Sequence, residues 1–129
     1  MVKLLQLPKI LDSRGNLTFI ESERHLPFAI RRIFWTYDVP GGEIRGGHAY
    51  YQQQEVIIAL SGSFDVIVTA SDGVKTRFSL NRSYTGLYLP PKTWRHMENF
   101  STNALGLHLS SHPFDVADYI RDFAKFQKQ

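Results

Sequence analysis

His48, Tyr50 and Glu55 follow Gly42 at spacings that suit a set of side chains gathered around one cavity. Five residues separate Gly42 from His48, one separates His48 from Tyr50, four lead to Glu55, and six more to Gly62. A second segment, Gly86-Leu-Tyr-Leu-Pro-Pro-Lys-Thr-Trp-Arg-His96, ends on another histidine. On spacing, His48, Glu55 and His96 form three metal ligands with one position open, a catalytic metal pattern. Tyr50 stands where a second imidazole would complete the set. Its phenol, with an ordinary pKa of about 10, stays protonated at neutral pH and ligates most divalent ions poorly there. Glu55 follows Gln52 to Gln54 and reads equally well as a polar residue at a strand end. The substitution points to a ligand set turned to another use.

The elements that must position these residues are short strands. Asp12-Ser13-Arg14-Gly15-Asn16 is a turn before Leu17–Ile20, and Arg31–Tyr37 is a β-branched and aromatic run closed by Val39-Pro40-Gly41-Gly42. Glu55–Leu60 turns through Ser61-Gly62-Ser63 into Phe64–Val68, where Phe64, Val66 and Val68 share one face and Asp65 and Ile67 the other. Ser71-Asp72-Gly73 is a hairpin turn into Lys75–Leu80. Gly86–Leu89, ended by Pro90-Pro91, and Ala104–Leu109 complete the series. Many short strands at close turn spacing predict an all-β sandwich or barrel. A jelly roll would face the two segments across one cavity. Val116, Tyr119, Ile120 and Phe123 fall at helical spacing behind Asp115, which predicts a short C-terminal helix over Asp115–Phe126.

Composition narrows the function classes. The 129 residues suit one domain, 1–129, and 43% hydrophobic with 21% charged residues is ordinary globular composition. A net charge of +3 with scattered Lys and Arg helps an anionic small molecule but is no nucleic-acid footprint. The absence of cysteine excludes disulfides and permits a reducing cytoplasm. No apolar run approaches the roughly 20 residues of a membrane helix, and no signal-peptide pattern opens the chain. The chain reads as soluble, cytoplasmic and unattached to membranes.

The Gly42–Gly62 spacing is that of the first cupin motif with its second histidine replaced, and Gly86–His96 resembles a degraded second motif with Thr93 in place of glycine. The wider chain resembles the dTDP-4-keto-6-deoxyglucose 3,4-ketoisomerase family, the WxcM-like group of RmlC-like cupins. The residues that carry the resemblance are DSRGNL at Asp12–Leu17, LPFAIRRIF at Leu26–Phe34, RGGHAY at Arg45–Tyr50, ALSGSFDV at Ala59–Val66, LNRSYTGLYLPPKTWR at Leu80–Arg95 and DYIRDF at Asp118–Phe123. The ordered set is more specific than any one element.

The resemblance implies an RmlC-like jelly-roll barrel and a metal-free, cofactor-free isomerase. Its substrate would be a dTDP-linked 4-keto-6-deoxy sugar, and the ketone would move from sugar C4 to C3 through an enediolate. That chemistry needs a base of suitable pKa and a cation or hydrogen-bond donor at the oxygens. His48 matches the first histidine of the family's pair and suits the base role. Tyr50 replaces the second. It is a proton donor, or a base if Arg14, Arg45 or Arg95 lowers its pKa. Arg95 follows the tryptophan and is expected inside, which places its neighbour His96 outside. Arg14 and Arg95 occupy positions that govern which face of C4 is protonated. Arg45 and Arg95, and more weakly Arg32, would hold the diphosphate through arginine's fork geometry. Tyr37 and Tyr88 would line the cavity.

Each assignment has a plain competitor. His48 could be a buried strand histidine bonded to backbone, Tyr50 a lining aromatic, Arg32, Arg45 and Arg95 surface or ion-pair residues, and Tyr37 and Tyr88 core. His25, His108 and His112 show no partner pattern and read as structural or surface. Exposed edge strands and the habit of RmlC-like relatives imply a homodimer with exchanged N-terminal strands. A cupin that binds a nucleotide sugar without turnover is the rival function, and a metal-dependent cupin enzyme a weaker one.

Overall fold

The computed structural model describes residues 1–129. Twelve strands form: β1 Lys3–Gln6, β2 Lys9–Ile10, β3 Leu17–Thr18, β4 Arg32–Thr36, β5 Arg45–Tyr50, β6 Glu55–Ser61, β7 Phe64–Thr69, β8 Lys75–Leu80, β9 Thr85–Leu89, β10 Trp94–Glu98, β11 Leu105–Ser110 and β12 Tyr119–Ile120. One sheet runs in the order β1-β9-β6-β11-β4 and the other β12-β5-β10-β7-β8, while β2 and β3 make a separate hairpin. Pairing is antiparallel throughout.

The main core lies between the two sheets. Ile57 and Ala59 of β6, Leu87 and Leu89 of β9, Phe64 and Val66 of β7, Leu80 of β8 and Met97 of β10 form one buried cluster. Burying each such side chain stabilises the fold by about 1.5–3 kcal/mol. The alternate residues of β6, Val56 and Ile58, pack outward against Leu7, Leu26 and Phe28. The N-terminal segment therefore covers the first sheet, and β6 is apolar on both faces. This explains why its sequence is a continuous apolar run rather than an alternating one. The same two-sided burial holds for Phe64–Val68: Asp65 and Ile67 are buried like Phe64 and Val66.

The C-terminal segment departs from the expected helix over Asp115–Phe126. Asp115 does cap, but it caps a three-residue 3₁₀ turn, Val116–Asp118. Tyr119 and Ile120 then pair with Tyr50 and Ala49 of β5. The Asp118 carboxylate accepts from the Gln52 and Gln53 amides at 2.9 and 3.1 Å, which ties the segment to the end of β5. Helix α1 is confined to Phe123–Gln127 behind the Asp122 cap. Phe123 and Phe126 pack on Trp94, with ring centroids 5.2 and 5.7 Å away, and cover the outer face of the second sheet. The helical spacing was real, but pairing with an open strand edge satisfies more backbone groups than one further turn would. Likewise the strand expected at Leu17–Ile20 stops at Thr18.

Candidate active site

One end of the space between the sheets is polar. A cavity of about 390 Å³ opens there, with His48, Tyr50, Glu55, Arg95, His108 and Tyr119 on its walls. Strand alternation accounts for the inward set. Glu55 is in phase with Ile57 and Ala59 on β6. His108 sits opposite Phe34 of β4 and Ile57 of β6. Arg95 lies directly opposite His48, so the two point to the same side, while Trp94 and His96 turn outward.

The β5–β10 register breaks between Arg95 and Met97. Gly46 makes the bulge possible. Its φ is +97°, and a Cβ there would meet the His96 Cα at 3.3 Å. The bulge puts the Gly46 carbonyl 3.3 Å from His48 Nδ1. A carbonyl only accepts, so Nδ1–H donates and Nε2 is the bare nitrogen of the neutral ring. Nε2 is buried with no protein partner. Burial, followed by the charge of Arg95, lowers the His48 pKa to about 4.

Arg95 is the largest fully buried side chain of the protein. Its Nη1 is ion-paired to Glu55 Oε1, and its Nε donates to the Thr93 carbonyl at 3.1 Å. Nη2 is buried and unpartnered. The other Glu55 oxygen accepts from His108 Nδ1 at 3.0 Å, and His108 Nε2 lies 3.1 Å from Thr36 Oγ1. Burial alone would raise the Glu55 carboxyl, but His108 and Arg95 hold it down at about 2. Glu55 is thus an ionised, fully engaged anchor rather than a loose strand-end residue.

Tyr50 is 1% exposed, beneath the Arg95 guanidinium at 5.0 Å. Burial, then the charge of Glu55, pushes its phenol above the usual range despite Arg95. Tyr50 is therefore a protonated donor here, and the tyrosinate-base option loses its support.

The remaining sequence candidates distribute unevenly. Arg45 is exposed at the cavity mouth, joined there by Arg121. Arg32 stands behind the wall, with Nη2 donating to Gln53 Oε1 at 3.3 Å and to the Tyr119 hydroxyl at 3.4 Å. Tyr37 lines a neighbouring groove that shares Arg45. Tyr88 faces the opposite side of its sheet, donating to Gln54 Oε1 at 2.7 Å and packing by Phe28. Arg14 sits 87% exposed in the β2–β3 turn, paired to Asp12 at 2.7 Å, and one chain does not bring it to the cavity. His96 is occupied by Glu98 Oε1 at 2.8 Å on the outer face. His48, Glu55 and His96 therefore do not converge as a ligand set. His108, Tyr119 and Arg121 line the cavity without having been singled out as site residues. His25 accepts from the Glu21 amide and His112 lies by Ser111, both as structural residues.

The sequence matches the FdtA family, described as WxcM-like, C-terminal, along residues 1–129. The chain belongs to this family. Its fold is that of the RmlC-like cupins. A relative from Aneurinibacillus thermoaerophilus, a TDP-4-oxo-6-deoxy-alpha-D-glucose-3,4-oxoisomerase, is 36% identical over 126 residues, spanning 98% of this chain and 90% of its own. The structure of the WlaRB TDP-quinovose 3,4-ketoisomerase from Campylobacter jejuni superposes with a TM-score of 0.93 at 37% identity, covering 99% of this chain and 98% of that one. The sugar 3,4-ketoisomerase QdtA from Thermoanaerobacterium thermosaccharolyticum, solved with TDP, gives 0.96 at 32% identity over 98% and 92% of the two chains. No helix of this protein is long and apolar enough to cross a membrane.

Proposed function

We propose that this protein is a TDP-4-keto-6-deoxy-sugar 3,4-ketoisomerase. The carrying observation is the unpartnered pair in the cavity, His48 Nε2 and Arg95 Nη2, one a bare nitrogen and the other a charged donor. The activities named for its relatives support the same reading.

His48 Nε2 takes the proton from sugar C3. The electron pair left on carbon forms the C3–C4 double bond, and negative charge moves to the C4 oxygen. Arg95, held by Glu55, stabilises that oxyanion in a site shielded from water. The proton on the C3 oxygen passes to the C4 oxygen. C4 then takes a proton from the Tyr50 hydroxyl, and the C3 oxygen closes to the ketone. The proton held by His48 returns to Tyr50. Arg45 and Arg121 suit the diphosphate at the mouth.

This reading includes a cytoplasmic homodimer, with the Arg14 turn brought to the site by the second copy. It also includes a 3-keto product that an aminating enzyme consumes in deoxyamino-sugar synthesis for surface glycans such as O-antigen. Tyr50 in place of histidine favours the rival, a nucleotide-sugar-binding cupin without turnover.

Proton NMR of chelator-treated protein with TDP-4-keto-6-deoxyglucose in deuterated water separates the two. Formation of a 3-keto sugar with deuterium at C4, lost in His48→Asn, is the expected result. Tight binding with neither exchange nor conversion would establish the rival.

A further inference from the structure

Tyr119 enters the cavity from a direction that the motif does not supply. It lies directly opposite Tyr50 in the β12–β5 pair. Directly opposed strand residues project to the same face with Cβ atoms about 5 Å apart. The two rings are accordingly 4.8 Å apart at 64°, and the Tyr50 hydroxyl donates to that of Tyr119 at 3.4 Å. The His48 ring is 4.8 Å from Tyr50 and 5.2 Å from Tyr119. Two cations flank Tyr119. Arg32 Nη2 donates to its oxygen at 3.4 Å, and the Arg121 guanidinium lies 4.3 Å from its ring centroid.

Arg32 is itself fixed. Its guanidinium lies 4.5 Å from the Phe34 ring and 5.4 Å from that of Phe114, and it reaches Gln53 as well. A guanidinium only donates, so one lone pair of the Tyr119 oxygen is taken. Its hydroxyl hydrogen stays free to turn toward Tyr50.

We propose that Tyr119 is a positioning residue of the isomerase site, holding Tyr50 as the proton donor to sugar C4 and donating to the Tyr50 oxygen once that proton has left. This role rests on the ketoisomerase reading. Without it, the Tyr50 phenolate formed in the second half-reaction would face Glu55 in a buried site, with the charges of Arg95 and of protonated His48 near it but no hydrogen bond to its oxygen. The cost of that unsolvated charge falls on C4 protonation and not on C3 deprotonation. The two half-reactions are then affected differently, which a purely structural role would not produce.

The test compares wild type, Tyr119→Phe, Tyr50→Phe and the double variant with TDP-4-keto-6-deoxyglucose in deuterated water. Phenylalanine keeps the ring and the backbone pairing of β12 with β5. Tyr119→Phe is expected to lower kcat for the 3-keto product by about tenfold or more with KM within about twofold. Deuterium should still wash into C3 of recovered substrate. In the Tyr50→Phe background, Tyr119→Phe should change kcat by less than about twofold, since the two act as one unit. A Tyr119→Phe enzyme with wild-type kcat and wild-type partition between exchange and product overturns the role, as do multiplicative losses in the double variant. A rise in KM alone overturns it too. A wild type that neither exchanges nor converts the sugar overturns the ketoisomerase reading, and this role with it.

Discussion

Arg95 and Glu55 form an ion pair in which each side chain is only 2% exposed. A charge so buried is tolerated only with a counterion and further hydrogen bonds, which Thr93 and His108 supply. The pair fixes where the free Arg95 nitrogen points, so a stability feature and the proposed oxyanion donor coincide. Glu55→Gln removes the counterion and leaves the guanidinium buried. The expected loss is about 3–5 kcal/mol, read as a lower urea midpoint at unchanged slope. Unfolding indistinguishable from wild type would mean that Arg95 is not held as described.

Arg95→Lys keeps the charge but not the fork. Lysine cannot reach Glu55, the Thr93 carbonyl and the cavity at once. Near-normal folding with kcat reduced by about 10²-fold or more is expected, the scale of losing one oxyanion donor. Steady-state kinetics beside a thermal melt would check it. A Lys variant at full kcat would remove Arg95 from the chemistry.

How far the site was legible follows from the distances involved. His48, Tyr50 and Glu55 lie within one strand-turn-strand unit, so their spacing carries their geometry. Strand alternation set Arg95 and His96 on opposite faces, and the family resemblance chose Arg95 as the inward one. His108 could not be read that way. It meets Glu55 across 53 residues, and only the pairing of β11 with β6 and β4 makes it a buried partner. Tyr119 was hidden by a genuine helical pattern that the open edge of β5 overrode. Tyr88 was misplaced because the N-terminal segment makes a second apolar layer, giving aromatics on β9 an inside on both faces. Arg14 and Tyr37 lie on surface that one chain leaves open.

The lowered pKa of His48 shapes the rate profile. The groups facing it are Arg95 and Arg121, which lower it, and Glu55, which opposes them. The imidazole therefore stays a free base to about pH 4. The acid limb of kcat/KM reports the free enzyme, so kcat/KM should hold level from pH 7 to about 5 and fall only near 4. An acid limb centred on about 6.5, the ordinary histidine value, would show His48 solvated or not the base.

The same shift acts on stability. In the unfolded chain His48 binds a proton as pH drops below about 6.5, whereas the folded chain does so only near 4. Stability therefore declines as pH falls through that window, by up to about 3 kcal/mol. Glu55 extends the decline: its folded value of about 2 lies below the ordinary 4.5, so its contribution is present above 4.5 and lost toward 2. Urea titrations at pH 7, 5.5 and 4 should show His48→Asn losing less stability than wild type across the upper window. Equal losses would place the titration elsewhere.

Strand β4 is an open sheet edge, and its outward residues are apolar. Ile33, Trp35 and Tyr37 are each more than half exposed, and Trp35 is 57% exposed. Phe19, Ile33, Leu60 and Leu107 line an apolar groove on the same sheet. Scattered apolar surface is ordinary, but a contiguous patch on an unpaired edge calls for a partner. The β2–β3 hairpin adds exposed Ile10, Leu11 and Leu17 beside the Arg14 turn. A second copy could cover both. Light scattering at micromolar concentration should give twice the chain mass of 14.8 kDa. Trp35→Glu places a charge on the patch without touching the inward face of β4, so it should shift the protein toward monomer while leaving the fold intact. If the Arg14 turn serves the site across that interface, kcat/KM should fall in parallel with the dimer fraction on dilution. A wild-type monomer with full activity would show that one chain suffices and that Arg14 plays no part in catalysis.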